Sequence, residues 1–313
     1  MRVIFLGTPS FAVPALESLV ENEHHVIAVF TQPDRPKGRG GMLNQSPVKE
    51  AALRLGLDIH QPERIRRPEV IAQLAGLRAD AMVIVGYGQI LPQAIIDLPR
   101  YGIINVHASL LPQYRGAAPI QWAIANGETV TGVTTMQIDA GLDTGGILMQ
   151  TETAIGNEES ALELADRLGV MGAGLLVQTL RQMEQGTLTA KPQDPSRASY
   201  APILKKEDGL VDWSRPAQEI YNRSRGFLPW PGTYSYFRGQ LLHIWESKPA
   251  THIRSGKFGS LFVQDRCLMV SCGGESALRL EEVQIEGRKR VSAGAFLNGQ
   301  RLGENEILGE MNN

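Results

Sequence analysis

The first half of the chain alternates short apolar runs with amphipathic stretches. RVIFLG (2–7), HVIAVFT (25–31) and ADAMVIVGYG (79–88) hold their apolar residues in unbroken blocks, and GIINVHA (102–108) and TGVTTMQID (131–139) are strand-like runs with polar interruptions. Blocks such as VIVG and RVIF are apolar on both faces, as expected of parallel strands covered by helices. Between and after them, VPALESLVEN (13–22), PVKEAALRLG (47–56), LPQAIIDLP (91–99) and PIQWAIANG (119–127) repeat at helical spacing. The longest helical pattern, 159–186, ends at Gly186, a C-cap residue. The pattern predicts an α/β domain over 1–186, built on a doubly wound, mostly parallel, Rossmann-like sheet.

The character changes at TLTAKPQDPSRASYAPIL (187–204). Three prolines and small polar residues without period predict a linker or crossover. After it, VDWSRPAQEIYNRSRGF predicts a short helix. GTYSYFRGQLLHIWE, GKFGSLFVQDRCLMVSCGG and SALRLEEVQ are β-type runs separated by Gly-rich turns. They predict a smaller C-terminal β-barrel, closed or open and OB-like, over 205–313.

Length supports two domains, since 313 residues exceed one ordinary domain. The two cysteines, Cys267 and Cys272, cannot form a four-cysteine zinc site and give no disulfide framework, which suits a reducing compartment. The N-terminal apolar run is too short for a signal peptide, and no run reaches eighteen residues, so a cytoplasmic protein without a membrane span is expected. The net charge of −2 divides into −4 over residues 1–204 and +2 over 205–313. A basic second half fits an anionic partner, although such differences are common on solvated surfaces.

Candidate chemistry begins where polar residues interrupt apolar strands. Asn105 and His107 stand two apart in IINVH, so they share one strand face near its end. There they need partners or a ligand. A carboxylate is available in IDAGLDTGGIL, where Asp143 lies in a Gly-rich turn; Asp139 competes but sits closer to its strand. Asn is a rare zinc ligand and no second His lies nearby, so no metal is expected. Ser109 lies outside a G-x-S-x-G elbow, which removes a serine hydrolase. GTPS (7–10) lacks the glycines of a dinucleotide site. An amide N–H and an imidazolium N–H aimed at one point form an oxyanion hole. A nearby carboxylate orients the ring and supports its positive charge. Such a set suits acyl transfer to a nucleophile that the substrate supplies.

Asn105-Val-His107, then Ser109-Leu-Leu-Pro112-Gln-Tyr-Arg115-Gly116, then Leu142-Asp143-Thr144-Gly145, resemble the 10-formyltetrahydrofolate-dependent formyltransferases. The resemblance implies catalytic roles for Asn105, His107 and Asp143. It implies folate binding at the turn of Ser109, Leu110, Leu111 and Pro112. It further implies a pterin-lining segment in VIVGYGQILP (83–92), through Gly86, Tyr87, Gly88, Ile90 and Leu91. The co-substrate implied is 10-formyltetrahydrofolate.

Members of this family differ in their acceptor. TQPDRPKGRGGMLNQSPVK (31–49) resembles the insertion loop of the members that act on initiator methionyl-tRNA. Its Arg35, Lys37, Arg39 and Lys49 are the expected phosphate contacts. The basic β-rich tail fits the same acceptor, and no protein partner is indicated. An amino-sugar nucleotide as acceptor would leave the basic loop unexplained. A non-catalytic nucleotide- or RNA-binding protein would leave the Asn–His–Asp set unexplained.

Overall fold

The computed structural model describes residues 1–36, 43–250, 256–303 and 306–309. In chain order the elements begin with β1 (Arg2–Gly7), α1 (Val13–Glu21) and β2 (His25–Phe30). The two-residue strands β3 (Arg35–Pro36) and β4 (Leu43–Asn44) pair with each other. Next come α2 (Pro47–Arg54), β5 (Ile59–His60), α3 (Pro68–Leu77), β6 (Ala81–Val85) and α4 (Gln93–Ile96). β7 (Ile103–His107), α5 (Pro119–Ala125), β8 (Val130–Gln137), β9 (Ile147–Ala154) and α6 (Ala161–Glu184) follow. The chain then continues through α7 (Ala217–Gly226), β10 (Thr233–Phe237), β11 (Gln240–Ala250), β12 (Leu261–Gln264), β13 (Cys267–Cys272), β14 (Ser276–Ile285), β15 (Val291–Ser292) and α8 (Ala293–Gln300).

Two compact units result. The first is Met1–Pro119, Val130–Ala154 and Glu163–Pro202. The second is Ile120–Thr129, Ile155–Leu162 and Ile203–Asn313. Most of the 187–204 stretch, expected as a linker, is therefore part of the first unit.

In the first unit the strands run β5-β2-β1-β6-β7-β8-β9. The pairs β2–β5, β1–β2, β1–β6 and β6–β7 are parallel, while β7–β8 and β8–β9 are antiparallel. The chain winds outward from β1 to β5, then returns to the other side of β1 with β6. Ligands of open α/β sheets bind beyond the strand C-termini at such a reversal. The register puts Gly7 beside Val85 and Ile84 beside Asn105, so the C-terminal ends of β1, β6 and β7 share one edge. Ile4, Leu6, Phe30, Met82, Ile84 and Ile103 form one side of the core beneath that edge. Edge strand β9 escapes the apolar-run reading because only Leu148 is buried and its exposed positions are Gln150, Glu152 and Ala154.

In the second unit β10-β11-β14-β13-β12 form an antiparallel sheet, with β15 paired to β14. The pairing path has β10 and β12 at its ends. Trp213, Ile220, Phe237, Leu242, Leu268, Leu280 and Phe296 fill its core. The Trp213 indole N–H satisfies itself on the Ser235 hydroxyl at 3.0 Å. Helix α8, which two glycines hide from sequence, starts at Ser292, whose hydroxyl accepts from Ala295 N at 3.2 Å. Among the described residues no helix is long and apolar enough to cross a membrane.

Candidate active site

All five residues of β7 are buried, and alternation sets Asn105 and His107 on one face. Asn105 is 8% exposed. Among the described residues no protein group hydrogen-bonds its carboxamide, a buried amide of the kind that calls for a partner. His107, 6% exposed, places Nε2 2.9 Å from the Tyr114 carbonyl. A carbonyl oxygen only accepts, so Nε2 carries a hydrogen. The other ring nitrogen, Nδ1, stands 3.7 Å from Asp143 Oδ2. That gap is too long for a direct hydrogen bond and leaves Nδ1 as the nitrogen able to serve a substrate atom.

Two residues of unusual backbone conformation flank this ring. Tyr114 (φ 58°) and Asp143 (φ 51°) both occupy the left-handed region, which a bulky side chain seldom adopts. Each costs on the order of 1–3 kcal/mol and persists only where the surroundings enforce it. In the Gly-rich turn, Asp139 Oδ1 accepts from Gly141 N at 3.0 Å and from Thr144 Oγ1 at 2.7 Å, so it serves its own loop. Asp143 instead crosses to the loop after β7, where its Oδ2 accepts from Gly116 N at 2.8 Å. The turn is also crowded. A Cβ on Gly145 would lie 1.9 Å from the Gln137 carbonyl, which is backbone and cannot swing aside. Gly145→Ala is expected to cost about 1–3 kcal/mol of stability and to lower kcat together with Tm, measured by thermal unfolding beside a transfer assay. An unchanged Tm and kcat would show that the turn relaxes freely.

The Ser-Leu-Leu-Pro turn is fastened to β8 and β9. Thr134 Oγ1 donates to the Ser109 carbonyl (2.6 Å) and accepts from Leu111 N (3.1 Å). Gln150 Nε2 reaches both the Leu111 carbonyl and Thr134 Oγ1 at 2.9 Å. The Ser109 hydroxyl donates to the Gln113 carbonyl at 2.6 Å. Ser109, Leu111 and Pro112 are buried, and Leu110 is half-buried.

After β6, Gly86 (φ 57°) and Gly88 (φ 83°) let the chain turn back over the sheet edge. The Tyr87 carbonyl between them accepts from Thr8 Oγ1 (3.1 Å) and Gln32 Nε2 (3.0 Å). Tyr87 and Leu91 are buried in the core beneath β6, whereas Ile90 is 92% exposed. Burial pushes the Tyr87 phenol up to about 12, and its hydroxyl has no partner among the described residues.

Of the expected phosphate contacts, Lys37 and Arg39 lie outside the described residues. Arg35 is exposed on β3. The Lys49 ammonium pairs with Asp34 at 2.5 Å, and Asp34 also accepts from Gln61 at 2.8 Å. The pairing gives the ammonium a partner within the chain. Its two partners stand fifteen residues apart, beyond the reach of local pattern.

A family profile described as formyl transferase matches residues 1–180, and one described as formyl transferase, C-terminal domain, matches 203–301. The chain is 61% identical to the methionyl-tRNA formyltransferase of Solibacter usitatus (strain Ellin6076) over 310 residues, covering 99% of each chain. It is 53% identical to that of Koribacter versatilis (strain Ellin345), again over 99% of each. The chain belongs to the methionyl-tRNA formyltransferase family. Solved structures with the same fold are more distant. WlaRD, a sugar 3N-formyl transferase crystallised in the presence of dTDP and 5-N-formyl-THF, superposes with a TM-score of 0.67 at 18% identity, covering 92% of this chain and 99% of its own. HypX from Aquifex aeolicus in complex with tetrahydrofolic acid gives 0.64 at 17%, covering 97% of this chain and 48% of its own. Within this methionyl-tRNA formyltransferase family chain, sequence reasoning missed Tyr114 and Gly116 as the partners of His107 and Asp143. The positive backbone angle of Tyr114 leaves no mark in a sequence.

Proposed function

We propose that the chain transfers the formyl group of 10-formyltetrahydrofolate to the α-amine of methionine on initiator methionyl-tRNA, working in the cytoplasm. The observation that carries this reading is His107. Its Nε2 is committed to a backbone carbonyl and its Nδ1 faces a carboxylate, beside an Asn105 carboxamide that has no hydrogen-bond partner among the described residues. These residues fit a formyl donor at the sheet edge, where unpartnered polar groups otherwise go unexplained. The Ser109–Pro112 turn and the 86–91 segment are assigned to the folate.

The residues then divide the work. The incoming amine adds to the formyl carbon as negative charge gathers on the formyl oxygen. Asn105 Nδ2–H and a protonated His107 Nδ1–H hold that oxygen, and both are in place before the reaction starts. Asp143 keeps the ring turned toward the substrate and stabilises its positive charge. The pair also offers a path by which the proton lost from the amine reaches the departing folate nitrogen.

Residues 1–186 are assigned to this chemistry and 205–313 to tRNA contact, with Arg35, Lys37, Arg39 and Lys49 supplying further phosphate contacts. Arg39→Leu is expected to weaken methionyl-tRNA binding, and Lys37→Ala to do so less, as a point charge on a flexible stem. Each should lower the salt slope of binding by about one counterion. A tRNA titration at several salt concentrations, run beside a folate titration, tests this. Parent-like affinity and slope in both variants would move the acceptor assignment toward an amino-sugar nucleotide.

A further inference from the structure

The Pro-rich stretch that reads as a linker is tied to both loops of the site. Its first end pairs with β9: Ile147 and Lys191 exchange backbone hydrogen bonds, each 2.8 Å. Its second end grips the loop after β7. Ser199 Oγ accepts from Tyr114 N at 2.9 Å, Arg115 N donates to the Ser199 carbonyl at 2.9 Å, and Ala201 N donates to the Arg115 carbonyl at 2.7 Å. The strap thus holds the residue whose carbonyl fixes His107 Nε2.

Between these anchors Gln193 reaches the other flank of the ring. Its Nε2 donates to the Asp143 carbonyl and to the Gly145 carbonyl, both at 2.8 Å. Its Oε1 accepts from Arg115 Nε (3.1 Å) and from a terminal nitrogen of the same guanidinium (2.7 Å). Arg115 is 5% exposed, and no carboxylate pairs with it among the described residues. A buried guanidinium that spends its hydrogen bonds on an amide oxygen fixes which way the amide faces. It also polarises the amide N–H bonds toward the two carbonyls. Those carbonyls belong to Asp143 itself and to Gly145 two residues on, so Gln193 fixes the turn that carries Asp143 in its left-handed backbone conformation.

We propose that Gln193 is a positioning residue for formyl transfer, its carboxamide oriented by Arg115 so that it holds the Asp143 turn with the carboxylate facing His107. The proposal rests on the catalytic reading above and extends it to the strap. Gln193 touches no substrate; it acts through Asp143. Structural support alone would give a different result. Loss of a structural contact lowers Tm and affects every background alike, whereas a device acting through Asp143 loses its effect once the Asp143 charge is gone.

The test uses Gln193→Glu and Gln193→Met, each alone and combined with Asp143→Asn. Glu keeps Arg115 partnered but sets an oxygen against the two carbonyls; Met removes both interactions. Tm, KM for each substrate and the single-turnover rate are measured. Gln193→Glu is expected to fold with near-parent Tm and parent-like KM values, yet to lose about 10²-fold in rate, the cost of a small misplacement of a catalytic group. In the Asp143→Asn background the same change should cost less than about threefold, because coupled residues are not additive. The proposal is overturned if Gln193→Glu keeps the parent rate, if its loss is the same in both backgrounds, or if both Gln193 variants lower only Tm. Failure of the parent enzyme to formylate methionyl-tRNA would instead overturn the catalytic reading, so the two failures are distinct.

Discussion

Asn105→Ala and His107→Ala should each lower kcat by about two to three orders of magnitude, the loss expected on removing one preorganised oxyanion donor. Binding of the folate should largely survive, because these donors act on charge that exists only in the transition state. Neither change should unfold the protein. Among the described residues Asn105 has no hydrogen-bond partner to orphan, and loss of the His107 ring frees one backbone carbonyl, that of Tyr114. The Ala variants therefore separate chemistry from folding: steady-state kinetics beside a folate titration should show a collapsed kcat with an almost unchanged Kd. Near-parent kcat in either variant would remove that residue from the mechanism.

Asp143→Asn should cost about two orders of magnitude in kcat, the lower end of the usual range for a group that assists proton transfer. The substitution is nearly isosteric, and its amide oxygen can still accept from Gly116 N, now 2.8 Å from Asp143 Oδ2. What disappears is the negative charge that faces His107 Nδ1 at 3.7 Å. Asp143→Ala should cost more, since it also frees Gly116 N and slackens a left-handed turn. The ordering parent > Asn > Ala is read from single-turnover rates at saturating substrates. If Asn matched the parent and only Ala fell, Asp143 would be a turn anchor without an electrostatic part.

How much of this was legible depends on how far apart in sequence the determining residues stand. Parallel strands announce themselves because burial on both faces leaves unbroken apolar runs, as in β1, β2 and β6. The same property exposes Asn105 and His107, whose polarity breaks such a run. Asp143 stands out in a short Gly-rich turn, and Asp139 competes with it there only until the side-chain bonds to Gly141 and Thr144 are seen. Edge strands β5 and β9 are faint, being short or polar on one face. The contacts of the strap are the least legible in a local window. Its prolines and missing period describe a connection, yet Gln193 meets Asp143 across fifty residues and Ser199 meets Tyr114 across eighty-five. Nothing in a local window encodes contacts of that range. The choice of ring nitrogen is hidden for the same reason, because it depends on where the Tyr114 carbonyl points.

The most direct test of the account offers one enzyme preparation two acceptors. Donor labelled in the formyl group of 10-formyltetrahydrofolate is mixed with methionine-charged initiator tRNA, and separately with an amino-sugar nucleotide. The label is then followed into each product. The account predicts label in N-formylmethionine released from the tRNA and none in the sugar nucleotide. Label in the sugar nucleotide without transfer to methionine would contradict it.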